Sequence, residues 1–196
     1  MIRAFGMAAG AAALLAGCAG TESHTPAAGA LAAPRQDMTR AEQLADALSM
    51  ADRAERSGNV AALGKAALLI DQLAPQAQTE ADANTLRRWR TALPAGAQPL
   101  LRGRALGPAY RSAMLMPGAA TQLKQTFLGG RSARVVVKVV EGSALKVMVR
   151  DQSESEVCRA EHTPFNCRWV PLYTERHNIQ IVNTGGAPAR FYIVFD

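Results

Sequence analysis

Apolar positions along this chain change period once. From Met38 to Leu93 they recur every three or four residues, and beyond Pro108 they alternate. Thr39-Arg40-Ala41-Glu42 has the form of a capping box, in which a Thr and a Glu side chain satisfy orphan backbone donors reciprocally. Ala41, Leu44, Ala45, Leu48 and Ala51 then form one helical stripe, which Ser57-Gly58-Asn59 stops. Val60, Leu63, Ala67, Ile70 and Leu73 form a second stripe, ended by Pro75. Thr79 is placed to cap a third, shorter helix carrying Leu86 and Trp89, and Pro94 closes it. The pattern predicts a small helical hairpin with one extra helix.

In the second half Val135, Val137 and Val139 share a face, as do Leu145, Val147 and Val149, and Phe191, Ile193 and Phe195. Ile179 and Ile181 make a shorter alternation of the same kind. Gly129-Gly130, Glu141-Gly142-Ser143 and Thr184-Gly185-Gly186 read as turns between them. Weaker runs near 109–115, 121–128, 156–159 and 166–170 bring the total to about eight short strands. That number suggests an antiparallel, jelly-roll-like β-sandwich. The Pro/Gly-rich stretch PAGAQPLLRGRALGP is the expected linker. The fold class is therefore α+β, with a helical region at 38–93, a linker at 94–108 and a β-sandwich at 109–196. One helical pair resembles a tetratricopeptide unit, but no second copy follows, and such arrays need about three units to bury a shared core.

The chain begins MIRAFGMAAGAAALLAGCAG. One positive charge, Arg3, precedes an apolar run from Ala4 to Ala16 that is too short to span a bilayer as a stable helix. Leu15-Ala16-Gly17-Cys18 resembles the lipobox of bacterial lipoproteins. The resemblance implies a signal peptide over residues 1–17, cleavage before Cys18, and acyl chains on the sulfur and new amino group of Cys18. Several acyl chains anchor stably, since each buried methylene contributes about 0.8 kcal/mol and one chain is marginal. In diderm bacteria the Ala19 that follows implies the outer membrane, facing the periplasm or the cell surface. Residues 18–37, rich in Ala, Gly, Pro and Thr without an apolar period, read as a flexible tether. Cleavage removes one arginine from the 22 basic residues, leaving 21 against 16 acidic ones. A moderately basic balance of this kind fits anionic headgroups or cell-wall polymers.

Cys18 is then committed to lipid, which leaves Cys158 and Cys167 as a pair in an exported, oxidising compartment. Such pairs usually form disulfides. A ring of about ten residues should contribute roughly 2–3 kcal/mol by restricting the unfolded chain. The alternative is a zinc cluster of Cys158, His162, Cys167 and His177, which supplies the four nitrogen or sulfur ligands of tetrahedral zinc. The nine-residue cysteine separation does not have the C-x-x-C form of a redox site.

The sandwich region contains FLGG, then VVVKVVEG, then ALKVMVRD, and ends NIQIVNTGGAPARFYIVFD. In that order it resembles the bacterial pre-peptidase C-terminal domain and related jelly-roll modules, over residues 105–196. The resemblance implies a non-catalytic accessory module that binds matrix, polymer or calcium. Asp151 matches the family's aspartate after the strand, while the Asp/Asn cluster expected for calcium is absent.

Candidate chemistry is sparse. There is no G-x-S-x-G elbow, no H-E-x-x-H motif and no phosphate loop. Arg87, Arg88, Trp89 and Arg90 could form a patch for anionic lipid or glycan, but such a run is more often a solvated helix end with Trp89 turned into the helical core. Trp169 beside the cysteine pair could be an aromatic platform or a core residue, and Tyr173 could reach the surface. Nucleic acid is not expected as a partner, and no cofactor is implied. The expected function is a lipid-anchored, non-catalytic binding or assembly module for envelope polymer or another envelope protein. The alternative is a small envelope hydrolase with a site between the helical region and the sandwich, using His162 or His177.

Overall fold

The computed structural model describes residues 38–91, 93 and 107–196. The expected signal peptide, Cys18, the expected tether and residues 94–106 of the expected linker lie outside the described residues. Three helices come first: α1 (Arg40–Arg56), α2 (Val60–Leu73) and α3 (Glu80–Arg90). Each begins where a side chain can hold a free backbone donor. Thr39 and Glu42 form the reciprocal capping box, with the Thr39 N–H donating to Glu42 Oε2 at 2.9 Å. Asn59 accepts from the Ala62 N–H at 3.0 Å, and Thr79 from the Asp82 N–H at 3.1 Å. Between α2 and α3 runs a two-residue strand, β1 (Gln76–Ala77).

The strands that follow are β2 (Ala109–Leu115), β3 (Ala120–Phe127), β4 (Ala133–Glu141) and β5 (Leu145–Arg150), then β6 (Glu156–Ala160), β7 (Phe165–Trp169), β8 (Glu175–Asn183) and β9 (Ala189–Phe195). They form two sheets, one ordered β1-β2-β9-β4-β7 and the other β3-β8-β5-β6. Apart from the parallel β1–β2 pair, every pairing is antiparallel, and eight strands divided in this order make a jelly-roll sandwich.

Alternation decides the inner faces. Val135 lies opposite Phe195 and Val137 opposite Ile193 in one sheet, while Val147 lies opposite Ile181 and Val149 opposite Ile179 in the other. These side chains, with Leu145, Phe165 and Phe191, fill the space between the sheets. The five-stranded sheet also buries its second face. Tyr110, Val136, Tyr192 and Val194 pack against Leu44, Leu48, Ile70, Leu86 and Trp89 of the helices. Central strand β9 is accordingly apolar on both sides, from Phe191 through Phe195. Ala41, Ala45 and Ala51 have no side-chain bulk to hold α1 away from the sheet, and all three are buried.

The helical region thus shares one core with the sandwich, a relation that separate periodicities do not reveal. The α1 stripe is a half-core that must find an apolar partner. The outward residues of β4 and β9 supply it. Burial within this shared core pushes the phenol groups of Tyr110 and Tyr192 well above the usual tyrosine range, with the nearby Asp82 and Asp52 carboxylates acting in the same direction.

Candidate functional site

Cys158 on β6 and Cys167 on β7 are joined by a disulfide with Cα atoms 6.1 Å apart. Because β6 belongs to one sheet and β7 to the other, the bond ties two edge strands across the sandwich. This corrects the zinc alternative. The two sulfurs are bonded to each other, His162 is exposed in the β6–β7 connection, and His177 is only 1% exposed. Among the described residues no group of three or more His, Cys, Asp or Glu side chains is placed to hold a metal ion.

His177 sits inside one end of the sandwich. The Trp169 indole N–H donates to His177 Nε2 at 3.1 Å, and the other ring nitrogen is Nδ1. That nitrogen has no hydrogen-bond partner among the described residues. The ring packs edge-on to Phe127 at 5.4 Å and lies 5.1 Å from the Trp169 ring. All of these contacts come from strands or their ends. The alternative hydrolase site between helices and sandwich is therefore not assembled on this histidine, and exposed His162 lies within the β6–β7 connection. Trp169 itself packs against the sandwich core, with its ring centroid 4.8 Å from that of Phe127.

The expected Arg/Trp patch does not face outward as a unit. Trp89 is 2% exposed, since it lies three residues from Leu86 on the face of α3 that meets the core. Arg88 forms a forked pair with Glu55 of α1, at 2.6 and 3.1 Å. Those hydrogen bonds hold the Glu55 carboxyl below the usual carboxylate range. Arg90 donates to Asp71 of α2 at 3.1 Å, and Arg87 to Asn84. Arg88 and Arg90 thus clamp α3 to α1 and α2, while the Arg87 bond stays within α3. Tyr173, in contrast, is 75% exposed.

Two surface features stand out instead, and both lie at the end of the sandwich where β8 begins. The first is a shallow groove of about 570 Å³ on the outer face of the four-stranded sheet. Cross-strand register sets Lys124 opposite Asn178 and Thr126 opposite Arg176 on that face. Asp151 closes one side by accepting from the backbone N–H groups of Ser153 and Ser155, which shapes the β5–β6 loop. Neither Lys124 nor Arg176 forms an ion pair with a described residue, and the buried Asn178 Oδ1 has no hydrogen-bond partner among them.

The second feature is made by the β3–β4 and β7–β8 loops. The Gly130 N–H donates to the Pro171 carbonyl at 2.8 Å, and the Gly129 N–H to Thr174 Oγ1 at 3.0 Å. Gly129 is required by proximity, since a Cβ there would lie 2.7 Å from the Tyr173 carbonyl carbon. The stitched pair exposes Leu128, Val170, Leu172 and Tyr173 to water. Beside it lies a groove of about 590 Å³ lined by Arg131, Arg134, Arg168 and Asp196, together with Thr39 at the start of α1.

Neither feature is singled out by a motif. Leu128 and Val170 read as the last residues of strands, although Phe127 pointing inward already turns Leu128 outward. The clearest signal is Val170-Pro171-Leu172-Tyr173, a turn built from apolar residues where polar ones are usual.

These features belong to a jelly-roll sandwich with a helical layer on one sheet. No family model matches the chain, and no curated protein matches it. Solved structures with partial likeness include the pre-peptidase C-terminal domain of a collagenase from Bacillus anthracis, at 8% identity and a TM-score of 0.38, covering 45% of this chain and 89% of that one. PliG from Aeromonas hydrophila, a periplasmic inhibitor of g-type lysozyme, is similar at 9% identity and a TM-score of 0.37, covering 45% and 84%. The capsular polysaccharide assembling protein CapF from Staphylococcus aureus is similar at 14% identity and a TM-score of 0.30, covering 65% and 40%. At these values none of them assigns a function to this chain.

Proposed function

We propose that this chain is a lipoprotein anchored through Cys18 in the outer membrane, and that its sandwich is a non-catalytic module that binds cell-envelope polymer. The observation that carries the reading is the contrast between the inside and the outside of the sandwich. The space between the sheets is filled by valine, isoleucine and phenylalanine side chains, so ligand chemistry falls to the surface. There the groove around Lys124, Arg176 and Asn178 offers cations, hydroxyls, amides and carboxylates together. A polymer carrying hydroxyl, amide and ionised groups, such as peptidoglycan, matches that mixture. A hydroxyl or water reaching Asn178 Oδ1 would remove the cost of an unpaired buried acceptor.

Two measurements test the parts separately. In a diderm host the mature chain should carry acyl chains on Cys18 and sediment with membranes, and Cys18→Ala should release it. An unmodified Cys18 ends the anchoring claim. The delipidated chain should co-sediment with purified peptidoglycan sacculi, and Lys124→Glu combined with Arg176→Glu should abolish this. Co-sedimentation that is absent, or indifferent to both changes, refutes the polymer claim. A second reading, assembly with another envelope protein, is favoured by α2, which leaves Val60, Leu68 and Leu69 in water.

A further inference from the structure

We propose that the loop end of the sandwich is a membrane-docking surface. In this arrangement Leu128, Val170, Leu172 and Tyr173 enter the headgroup region of an anionic phospholipid leaflet, and Arg131 and Arg168 hold its phosphates. The proposal extends the anchored reading above by naming what this end of the module touches.

Leu172 and Tyr173 project into water, while Leu128 also lines the arginine groove. Leu172 is 86% exposed and Tyr173 75%, and both sit on a loop fixed to its neighbour by the Gly130–Pro171 backbone bond and by the bond from Gly129 N–H to the Thr174 hydroxyl. A rigid, convex, apolar tip suits insertion into a deformable interface, where tyrosine keeps its hydroxyl wet while its ring is buried. The charges beside the tip have the matching sign. Neither Arg131 nor Arg168 is ion-paired with a described residue, and the two share one groove with Arg134. Arg134 lies 3.8 Å from Glu42 and donates to Asn166, while Arg168 donates to Ser132 Oγ at 3.1 Å. Asp196 is the carboxylate side chain in that groove. Guanidinium groups are suited to phosphate oxygens, and a surface rich in anionic lipid attracts each added cation near it.

At the opposite end of the sandwich Met114 and Met116 are also exposed, but the cations Arg56 and Lys146 there are taken up in ion pairs with Glu141 and Glu161. The point where the chain enters its first helix adds a geometric reason. Thr39, the N-cap of α1, lines the arginine groove, so the first helix begins at the same end as the tip. The tip would then set the orientation, leaving the groove of the four-stranded sheet and the outer face of α2 free for other partners.

The test uses the mature polypeptide carrying Cys18→Ser, so that no acyl chain contributes, with vesicles of phosphatidylglycerol and phosphatidylethanolamine and with vesicles of phosphatidylcholine alone. We expect at least tenfold stronger co-sedimentation with the anionic vesicles, weakened by raising salt. Leu172→Asp with Tyr173→Ser should reduce it at least tenfold, as should Arg131→Glu with Arg168→Glu. Met114→Asp with Met116→Asp, at the far end, should leave it unchanged. Tyr173→Trp should add an emission that shifts to the blue, relative to the parent protein, when anionic vesicles are added. The proposal is overturned by equal binding to both vesicle types, by tip variants that bind like the parent, or by an added indole emission that vesicles leave unshifted. It is also overturned if an envelope protein, and not the vesicles, responds to the tip changes. Sacculi binding reads the other groove, so either idea can fail while the other stands.

Discussion

The buried carboxylate of Asp82, in the first turn of α3, accepts hydrogen bonds from both the backbone N–H and the hydroxyl of Ser112 on β2. β1 pairs with β2 through Ala109 and Tyr110, and Asp82 takes the place of a backbone acceptor two residues further along. The same carboxylate accepts from Thr79 Oγ1 at 2.6 Å, and Tyr110 donates its hydroxyl to the Asp82 carbonyl at 3.1 Å. A helix side chain thus closes a sheet edge that would otherwise offer free donors.

Replacing Asp82 by Ala strips partners from three donors at a site only 2% exposed. Each unpaired buried donor costs about 1–3 kcal/mol, partly recovered by relaxation, so a loss of about 2–4 kcal/mol is expected. Urea unfolding followed by far-UV circular dichroism measures it. Ser112→Ala should cost less, because it removes the hydroxyl and leaves the backbone bond in place. A change below about 0.5 kcal/mol for Asp82→Ala would show that the helix is not held to the edge strand in this way.

Like Glu55, Glu42 contributes to the acid side of the stability profile. The hydrogen bond from the Thr39 hydroxyl holds its carboxyl below the usual value of 4.5, helped by the Thr39 N–H, Arg134 and Asn166. A carboxyl depressed in the folded state contributes stability that is fully present above the unfolded value and is lost as pH falls through the folded one. Stability should therefore decline as pH drops below about 4.5. Glu42→Gln should flatten that decline while lowering stability at neutral pH. Parallel acid limbs for the two proteins would contradict the assignment.

Loss of the cross-sheet disulfide should lower stability by roughly 2–3 kcal/mol, since the ring spans nine positions in sequence. In the native protein neither Cys158 nor Cys167 should react with an alkylating agent until a reductant is added. Cys158→Ser with Cys167→Ser should unfold at lower denaturant and with a somewhat steeper slope, because the freed unfolded chain exposes more surface. Ready alkylation of the untreated protein would mean the thiols are free.

Gly129→Ala should part the two loops. The added methyl would lie 2.7–2.8 Å from three backbone atoms of Tyr173 and Thr174, and backbone cannot yield as a flexible side chain can. A destabilisation of about 1–3 kcal/mol is expected, in the range of other overpacked sites. Amide exchange at Gly130 should speed up, because its bond to the Pro171 carbonyl spans the same contact. An unaltered exchange rate would show that the loops are not held together by this close approach.

Much of the fold was legible locally. Thr39 and Glu42 lie three residues apart, so their reciprocal caps are specified by sequence, and the same holds for Asn59 and Thr79. Alternation fixed the inner residues of β4, β5, β8 and β9, since a one-residue slip would turn every valine and isoleucine outward. The pairing of Cys158 with Cys167 was expected on the reading of an exported chain with Cys18 committed to lipid, and the sandwich with a helical region before it followed from the change of period. What needed tertiary structure is whatever joins distant segments. Val136, Tyr192 and Val194 look like the solvent side of alternating strands until α1 is laid over them. β1, two residues long, exists because β2 lies beside it. Trp89 turned into the core, while Tyr173, Leu128 and Arg168 came to one end of the sandwich because Gly129 and Gly130 are hydrogen-bonded to Thr174 and Pro171, some forty residues further on. Sequence determines period, caps and turns because their energies are set within a few residues. Strand order and surface clustering are decided by which apolar faces can be buried together, and that is a property of the whole chain.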